Sequence, residues 1–188
     1  MRALVIYESM YGNTHLIADA IAAGLADEGI EAAADAVDQA TPDRVADADL
    51  LVVGGPTHIH GMSRESTRKA AVTEVAKPDN DLHLDPDAEG EGLREWFDQL
   101  PPTRAAAAAF DTRIHKSPTL TGRASKGISK RLRRHGFTEV VDPESFFVDP
   151  NALEPGEEQR AREWGRRLAS VMPQREETNG ASTQASHS

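Results

Sequence analysis

The stretch that decides the fold is Ala3-Leu4-Val5-Ile6-Tyr7-Glu8-Ser9-Met10-Tyr11-Gly12-Asn13-Thr14. Its first five residues form an apolar run with β-branched residues at its centre, which favours a buried strand. A polar turn follows, and beyond it apolar residues recur at the three- and four-residue spacing that is typical of a helix: Leu16, Ile17, Ala20, Ile21 and Leu25. The stretch therefore predicts a strand, a loop and a helix in direct succession.

The same alternation of strand and helix signals continues along the chain. Leu50–Val53 is a continuous apolar run before Gly54-Gly55-Pro56, as expected of a central parallel strand covered on both faces. Weaker strand signals lie at 29–37, 105–110, 139–141 and 145–148, and helix signals at 124–135 and 157–172. This alternation predicts an α/β fold with a doubly wound parallel five-stranded sheet in the order 2-1-3-4-5 and helices on both faces.

Composition limits the chemistry that the chain can perform. The 188 residues carry 21 Lys and Arg against 31 Asp and Glu, a net charge of -10, which disfavours broad binding to nucleic acid or to an anionic membrane. The absence of cysteine excludes disulfides, zinc-thiolate sites and thiol nucleophiles, so redox chemistry requires a bound cofactor. No apolar run approaches the roughly 20 residues of a membrane span, and we expect a cytoplasmic protein.

We expect one domain over residues 1–173. Within it, the acidic stretch at about 77–92 is rich in turn-forming residues and predicts a solvated loop between two helices. The Ser/Thr/Gln-rich stretch 174–188 has no hydrophobic periodicity and predicts a disordered tail.

Two polar loops follow the first and third predicted strands. The first loop offers the Ser9 and Thr14 hydroxyls, the Asn13 amide and the backbone N–H groups of a first helical turn, which are the donors that a phosphate needs. Taken alone, the loop is equally consistent with an ordinary turn that caps a helix. The second loop, Gly54–Ser63, follows the neighbouring strand, so both loops face the crevice where the connectivity of such a sheet reverses.

With both loops in place, the chain resembles the flavodoxin-like family, a three-layer sandwich that binds FMN. The resemblance rests on Ser9-Met10-Tyr11-Gly12-Asn13-Thr14, Gly54-Gly55-Pro56-Thr57 and Gly61-Met62. It implies that the ribityl phosphate of FMN is held by Ser9, Met10, Tyr11, Gly12, Asn13 and Thr14. It also implies that one side of the isoalloxazine is lined by Pro56, Thr57, His58, Ile59, His60 and Gly61.

The family's third cofactor loop follows the fourth strand and here corresponds to 111–115, with Asp111, Thr112 and Arg113 as candidate contacts. Neither flavin-facing loop contains Trp or Tyr, so the aromatic sandwich around the ring is missing. An aromatic pair contributes about 0.5–1.5 kcal/mol beyond its buried area. This departure predicts weak FMN binding, or a site completed by another subunit.

Three further features have alternative interpretations. His58 and His60 are too isolated to predict a metal site, because no third ligand is evident. The basic run at 123–134 is either a solvated helix face or a docking site for an acidic partner or a nucleotide phosphate. Glu8 and Asp111 end neighbouring strands, but without a nucleophile they do not predict a hydrolase.

The sequence thus predicts an FMN-binding flavodoxin-like protein that transfers electrons or reduces a small acceptor such as a quinone. Its partners are then a redox protein or a small-molecule acceptor, without nucleic acid or membrane, and a homodimer is left open. The alternative is a flavodoxin-fold binding or interaction module without redox activity. A receiver-like signalling domain is disfavoured, because Glu8 is followed by phosphate-loop residues instead of the acidic cluster that such a domain needs.

Overall fold

The computed structural model describes residues 1–58, 61–75, 83–86, 88, 90–149 and 152–172. Its strands are β1 Arg2–Tyr7, β2 Glu31–Ala36, β3 Leu50–His58, β4 Gly61–Met62, β5 Ala106–Ile114, β6 Thr138–Glu139, β7 Glu144–Asp149 and β8 Ala152–Leu153. Its helices are α1 Asn13–Asp27, α2 Pro42–Ala46, α3 Glu65–Val75, α4 Leu93–Gln99, α5 Pro118–Thr121, α6 Ala124–Arg134 and α7 Glu157–Val171. The predicted tail, 174–188, lies outside the described residues.

The long strands form one sheet in the order β2-β1-β3-β5-β7, and each neighbouring pair is parallel. This arrangement confirms the predicted order 2-1-3-4-5, with β5 and β7 as the fourth and fifth strands. The described sheet also contains the short strands β4, β6 and β8, which bring its total to eight. The sequence did not predict β4 and β8, because two-residue strands are too short to carry an alternation signal, and the strand signal at 139–141 overlaps β6 only at Glu139.

Helices cover both faces of the sheet, and each face has its own apolar core. On one face, α1 and α7 pack on Val5, Val52 and Phe110 through Ile17, Ile21, Leu25, Trp164 and Leu168. On the other face, α2, α4 and α6 pack on Ile6, Leu51 and Val53 through Val45, Leu93, Phe97, Ile128 and Leu132. The central strands are therefore buried on both sides, which explains their continuous apolar runs. No helix among the described residues has the length and hydropathy required to cross a membrane.

Two predicted loops are in fact extensions of strands. The third strand continues through Gly54 and Gly55 to His58, and the fourth continues through Asp111 to Ile114. A β-carbon at Gly54 would lie 2.1 Å from the Phe110 ring, and one at Gly55 would lie 2.8 Å from Leu93 Cδ1. The two glycines therefore serve close packing, Gly54 against Phe110 of the neighbouring strand and Gly55 against Leu93 of α4. The prediction of a loop at these positions was wrong, because glycine signals a turn and a close approach equally well.

The predicted solvated loop at 77–92 is partly buried. Residues 76–82, 87 and 89 lie outside the described residues, but Asp85 and Ala88 are buried. The backbone N–H of Asp85 donates to Met10 O at 2.8 Å, so this segment packs against the loop after β1. The prediction was wrong for these two residues, because composition alone does not reveal a contact between segments so far apart in the chain.

An ion-pair cluster joins the C-terminal end of α1 to the middle of α7. Asp27 accepts hydrogen bonds from Arg162 Nη2 at 2.7 Å and from Arg166 Nη2 at 2.7 Å. The hydrogen bond from Arg162, and after it the one from Arg166, holds the pKa of the Asp27 carboxyl well below its usual range. The unfolded chain, with an ordinary Asp pKa of about 3.9, takes up a proton before the folded protein does. The ion pairs therefore stabilise the fold above that pH and lose their effect as the pH falls toward the lower folded pKa.

We expect Asp27→Asn to be less stable than the wild type at pH 7, and the difference to shrink as the pH falls from about 5 to about 2. Urea unfolding at a series of pH values measures it. The double variant Arg162→Gln/Arg166→Gln removes the same ion pairs by replacing the arginines. Its free energy of unfolding should also depend less on pH than that of the wild type. Parallel pH profiles for the wild type and Asp27→Asn would contradict the assignment.

Candidate functional site

A cavity of about 160 Å³ opens at the carboxyl ends of β1, β3 and β5. Three separate segments of the chain supply its walls, together with one residue of β7. The lining residues are Ser9, Met10, Tyr11, Asn13, Thr14, Pro56, Thr57, His58, Thr112, Arg113, Ile114 and Val148. This edge of a doubly wound sheet, beside the central strands, is where such folds bind ligands.

The loop after β1 turns directly into α1. Gly12 precedes the helix with a φ of 85°, a conformation that favours glycine, and its N–H donates to Ser9 Oγ at 3.1 Å. Ser9 and Thr14 are both buried. The Thr14 and Thr112 hydroxyls are 2.7 Å apart and form a hydrogen bond that joins the first loop to β5. The loop therefore presents two buried hydroxyls beside the positive end of a helix dipole.

Asp85 supports this loop from outside the cavity. Its carboxylate Oδ2 lies 3.2 Å from His15 Nδ1, and the His15 ring stacks on Tyr7 with 4.4 Å between the ring centroids. A β-carbon at Gly12 would lie 3.9 Å from the same carboxylate oxygen. A side chain at position 12 would therefore approach Asp85 as well as strain the backbone, and substitutions of Gly12 are poor tests of ligand binding.

The second segment contributes Pro56, Thr57 and His58. The Thr57 hydroxyl donates to Asp111 Oδ2 at 3.1 Å and accepts from the Ala124 N–H at 2.8 Å, so it ties β3 to β5 and to the start of α6. His58 Nε2 is buried and has no hydrogen-bond partner among the described residues. Burial lowers the pKa of His58 below its ordinary value, so its ring is neutral at pH 7. Ile59 and His60 lie outside the described residues.

Three of the predicted contacts, Gly12, Gly61 and Asp111, do not line the cavity. Asp111 lies in β5, and its Oδ2 also accepts from the Ser125 N–H at 2.8 Å, so this carboxylate holds the N-terminus of α6. Gly61 lies in β4, where it pairs with His58. The sequence placed Asp111 in a loop because it could not show which helix the carboxylate would meet.

Arg113 is the charged residue of the described cavity wall. It is 7% exposed, its Nη1 donates to Lys116 O at 2.7 Å, and its guanidinium lies 5.0 Å from the centroid of the Phe147 ring. Burial lowers the pKa of Arg113, an effect that nearby Asp111 opposes. Its Nε is buried without a hydrogen-bond partner among the described residues. The His115 ring stacks on Phe147 at 4.0 Å between centroids, which places an aromatic pair beside Arg113.

Two apolar residues complete the cavity wall: Ile114, which belongs to the predicted third loop at 111–115, and Val148, which the sequence did not single out as a contact. Ile114 ends β5 with 44% of its surface exposed, and Val148 comes from β7. An exposed isoleucine at a strand end is detectable only once the strand's length is known. Val148 lies in an apolar run that indicated a strand but gave no sign of which end faces the cavity.

Glu8 has a structural role. Its carboxylate accepts from the Ser63 hydroxyl and from the Leu93 N–H, the latter at 2.9 Å, and Arg68 Nη1 lies 3.9 Å away. Glu8 thereby anchors the N-terminus of α4 and the segment after β4. Among the described residues, no group of three or more His, Asp or Glu side chains is placed to hold a metal ion.

Comparison with known proteins shows what the chain is similar to. Residues 5–95 match the flavodoxin family model. An archaeal flavodoxin superposes with a TM-score of 0.63 over 90% of this chain and 97% of its own, at 20% identity. The chain has a flavodoxin-like fold. Oxidised flavodoxin 1 from Bacillus cereus is similar, with a TM-score of 0.63 over 92% of this chain and 100% of its own, at 18% identity.

The same fold also occurs as part of larger proteins. The rubredoxin oxygen:oxidoreductase from Desulfovibrio gigas superposes with a TM-score of 0.60 over 90% of the flavodoxin-like protein but only 35% of its own chain, at 18% identity. No protein with a curated description matches the sequence significantly. Proteins of the flavodoxin family bind FMN.

The residues of the cavity fit FMN in their donor chemistry. Ser9 and Thr14 supply buried hydroxyls at a helix N-terminus, which is a favourable site for a phosphate. Pro56, Ile114 and Val148 supply apolar surface for a ring, and Arg113 supplies a positive charge. His58 Nε2 and Arg113 Nε are buried polar atoms without partners among the described residues, and such atoms are common where a ligand binds.

Proposed function

We propose that the flavodoxin-like protein binds FMN in this cavity and transfers electrons through it to a redox partner protein or to a small acceptor such as a quinone. The observation that carries the proposal is the meeting of Ser9–Thr14, Pro56–His58 and Thr112–Ile114 at one edge of the sheet. These segments are far apart in sequence, and here they bring together polar and apolar groups for the two ends of a mononucleotide.

The phosphate of FMN is assigned to Ser9, Asn13 and Thr14. The loop contains neither Lys nor Arg, so hydroxyls, the Asn13 amide and the N–H groups of the first turn of α1 must bind a group with a charge of about -1.5 to -2. Such hydrogen bonds to an ionised group are worth about 1.5–3 kcal/mol each. Asp85 lies on the other side of Gly12, with His15 beside it.

The ring of FMN is assigned to the opening of the cavity. A volume of about 160 Å³ is small beside the roughly 300 Å³ at the lower end of ligand pockets, so the cavity holds part of the cofactor. Pro56, Ile114 and Val148 are the apolar residues that remain for the ring. Bound FMN supplies the capacity to accept and donate electrons, and the chain sets its orientation and surroundings.

Two residues of the cavity tune the cofactor's environment. His58 is neutral at pH 7 and adds no charge. The Arg113 guanidinium adds a positive charge, which opposes the effect of the net charge of -10 on a reduced, anionic flavin. The alternative function, a binding module without redox activity, draws support from the small volume of the cavity and from a wall that offers no Trp in the part of the chain described.

The test of the phosphate site is Thr14→Val, with Thr112→Val as its matched control. Both variants remove the hydrogen bond between the two hydroxyls, but only the first removes the proposed phosphate contact. We expect Thr14→Val to weaken FMN binding about tenfold relative to Thr112→Val. Fluorescence titration with FMN measures the dissociation constants, and equal weakening by the two variants would contradict the assignment.

A second measurement separates the functions. The FMN-loaded protein is mixed with NADH or NADPH and a quinone, and flavin absorbance and quinone reduction are followed together. An electron carrier takes up and releases electrons slowly under these conditions without a separate reductase, whereas a quinone reductase turns over. Failure of chemically reduced FMN-loaded protein to return electrons to any acceptor would support the binding module.

A further inference from the structure

Three arginines lie beside the segment that follows β4: Arg64 within that segment, Arg94 of α4 and Arg131 of α6. Arg94 of α4 donates from Nε to Ser63 O at 2.7 Å and from Nη2 to Met62 O at 3.1 Å, which places it beside Arg64. A β-carbon at Gly127 of α6 would lie 3.5 Å from Met62 Sδ, so α6 packs against the same strand. Arg131 follows Gly127 by one helical turn on that face of α6.

These three arginines differ from most others in the molecule. Of the other twelve arginines that the structure describes, seven pair with carboxylates, as in Arg44–Asp35, Arg68–Glu95, Arg133–Glu139, Arg160–Glu157 and Arg162–Asp27. Within the described part of the chain, no carboxylate lies within 4.0 Å of the charged groups of Arg64, Arg94 or Arg131. The cluster therefore keeps an uncompensated positive charge in a chain of net charge -10.

The positive charges of the cluster repel one another at its central residue, Arg94. Burial lowers the pKa of Arg94, and the neighbouring charges of Arg131 and Arg64 lower it further, against the opposite effect of Glu95 and Glu8. Bringing carboxylates to this surface would relieve that repulsion, and the planar guanidinium binds a carboxylate with two parallel hydrogen bonds.

The cluster also extends along the exposed face of α6. Lys130 and Arg134 are exposed there, and neither pairs with a carboxylate among the described residues. At its other end the cluster reaches Arg64, which follows β4, the strand that pairs with Thr57 and His58 of the cavity wall. The basic surface thus begins next to the proposed cofactor site and leads away from it along α6.

We propose that Arg64, Arg94 and Arg131 form a docking surface for an acidic patch on a partner protein. The use of this docking surface in electron transfer rests on the proposed function. Because the surface lies near the cavity, a partner bound to it would be close to FMN. The net charge of -10 opposes a long polyanion such as RNA, which must lie over a wide surface. At physiological salt, charges beyond about 8 Å are screened, so a compact acidic patch experiences mainly the local arginines.

The test uses a short fluorescein-labelled polyglutamate of about six residues and an oligouridylate of about 20 nucleotides as probes, at physiological salt, where the distant negative charges are screened. The test variant is Arg64→Gln/Arg131→Gln, which leaves Arg94 and its backbone contacts in place. The control is Arg2→Gln/Arg104→Gln, which removes the same charge at the opposite edge of the sheet. Anisotropy titrations give the affinities, and sedimentation gives the oligomeric state.

We expect polyglutamate to bind the wild type and the control equally well and the test variant at least about fivefold more weakly, with oligouridylate weaker throughout. Equal weakening in both variants, no binding of polyglutamate, or tighter binding of oligouridylate would overturn the proposal. A salt-sensitive dimer that only the test variant loses would also overturn it, because the occupant would then be a second copy. FMN uptake is measured on the same samples and should not change. If the protein bound polyglutamate but not FMN, the proposed function would be contradicted and the docking surface would not.

Discussion

Gly165→Ala is expected to lower the free energy of unfolding by about 3 kcal/mol, the upper part of the range for overpacked cores. A β-carbon at Gly165 of α7 would lie 2.3 Å from Ile21 O of α1, and one at Gly24 of α1 would lie 2.0 Å from Arg162 O of α7. Both obstacles are backbone carbonyls, which cannot turn away as a side chain can. The two helices would have to separate, and the apolar core between them and the sheet would open.

Gly127→Ala is the matched control, because it also replaces a glycine inside a helix. Its β-carbon would lie 3.5 Å from Met62 Sδ, an ordinary contact with a flexible side chain. Alanine is favoured over glycine in helices by about 0.5–1 kcal/mol, so this variant should be slightly more stable than the wild type. Urea unfolding midpoints measure both. If Gly165→Ala unfolded at the same midpoint as the wild type, the close crossing of α1 and α7 would be wrong.

Asn13→Asp is expected to weaken FMN binding about 100-fold while leaving the fold as stable as before or more so. An aspartate in the first turn of α1 interacts favourably with the helix dipole, by about 0.3–1 kcal/mol. The same carboxylate faces the proposed phosphate, and repulsion between them costs about 2–3 kcal/mol at the effective dielectric constants of a protein surface. The two effects have opposite signs, so loss of binding cannot be attributed to loss of folding.

Asn13→Ala separates the added charge from the lost amide. It should weaken FMN binding by about tenfold or less, because it removes at most the hydrogen bonds of the amide. The difference between the FMN dissociation constants of the two variants should become smaller in high salt, because screening reduces the repulsion between the carboxylate and the phosphate. FMN titrations at low and high salt, with thermal unfolding of the apo-proteins alongside, measure these effects. Equal affinities for Asn13→Asp and Asn13→Ala would exclude a phosphate at this position.

Local patterns were sufficient to predict the parts of the fold where neighbouring residues decide the structure. The apolar run before Glu8 and the spacing after Thr14 predicted β1 and α1, and the order of the long strands followed from alternation. The alanine run at 105–109 fitted a helix as well as a strand. The structure shows why it is a strand: Ala107, Ala108 and Ala109 lie fully buried between the two helical layers, where context overrides propensity.

The features that the sequence did not predict depend on contacts between distant segments. Gly54 and Gly55 indicated a ligand loop, but they are glycines because Phe110 and Leu93 pack against them. Asp85 belongs to an acidic stretch whose composition predicts a solvated loop. In the structure its backbone N–H donates to Met10 O and its carboxylate lies next to His15. A pattern read along the chain cannot show which distant residue will fill the space beside it.

The candidate site also contains residues that the local sequence predicted correctly and others that it did not. Ser9, Asn13 and Thr14 follow from strand-loop-helix chemistry, and the structure places them together on the cavity wall. Asp111 was predicted beside them from its position after the fourth strand, but its carboxylate holds the start of α6 through Ser125. Whether a strand-end carboxylate faces a ligand or a helix depends on how far the strand continues, which the alanine-rich sequence before it did not reveal.

The central claim is that the segments around Ser9, Pro56 and Thr112 bind one FMN. Titration of the flavin-free protein with FMN, followed by quenching of flavin fluorescence, tests it most directly. The account predicts saturation at one FMN per chain and a visible absorbance shift of the bound flavin. Circular dichroism first establishes that the flavin-free protein is folded. If this folded protein showed no saturable binding up to about 1 mM FMN, the result would contradict the claim. A dissociation constant of about 1 mM corresponds to a binding free energy of only about -4 kcal/mol.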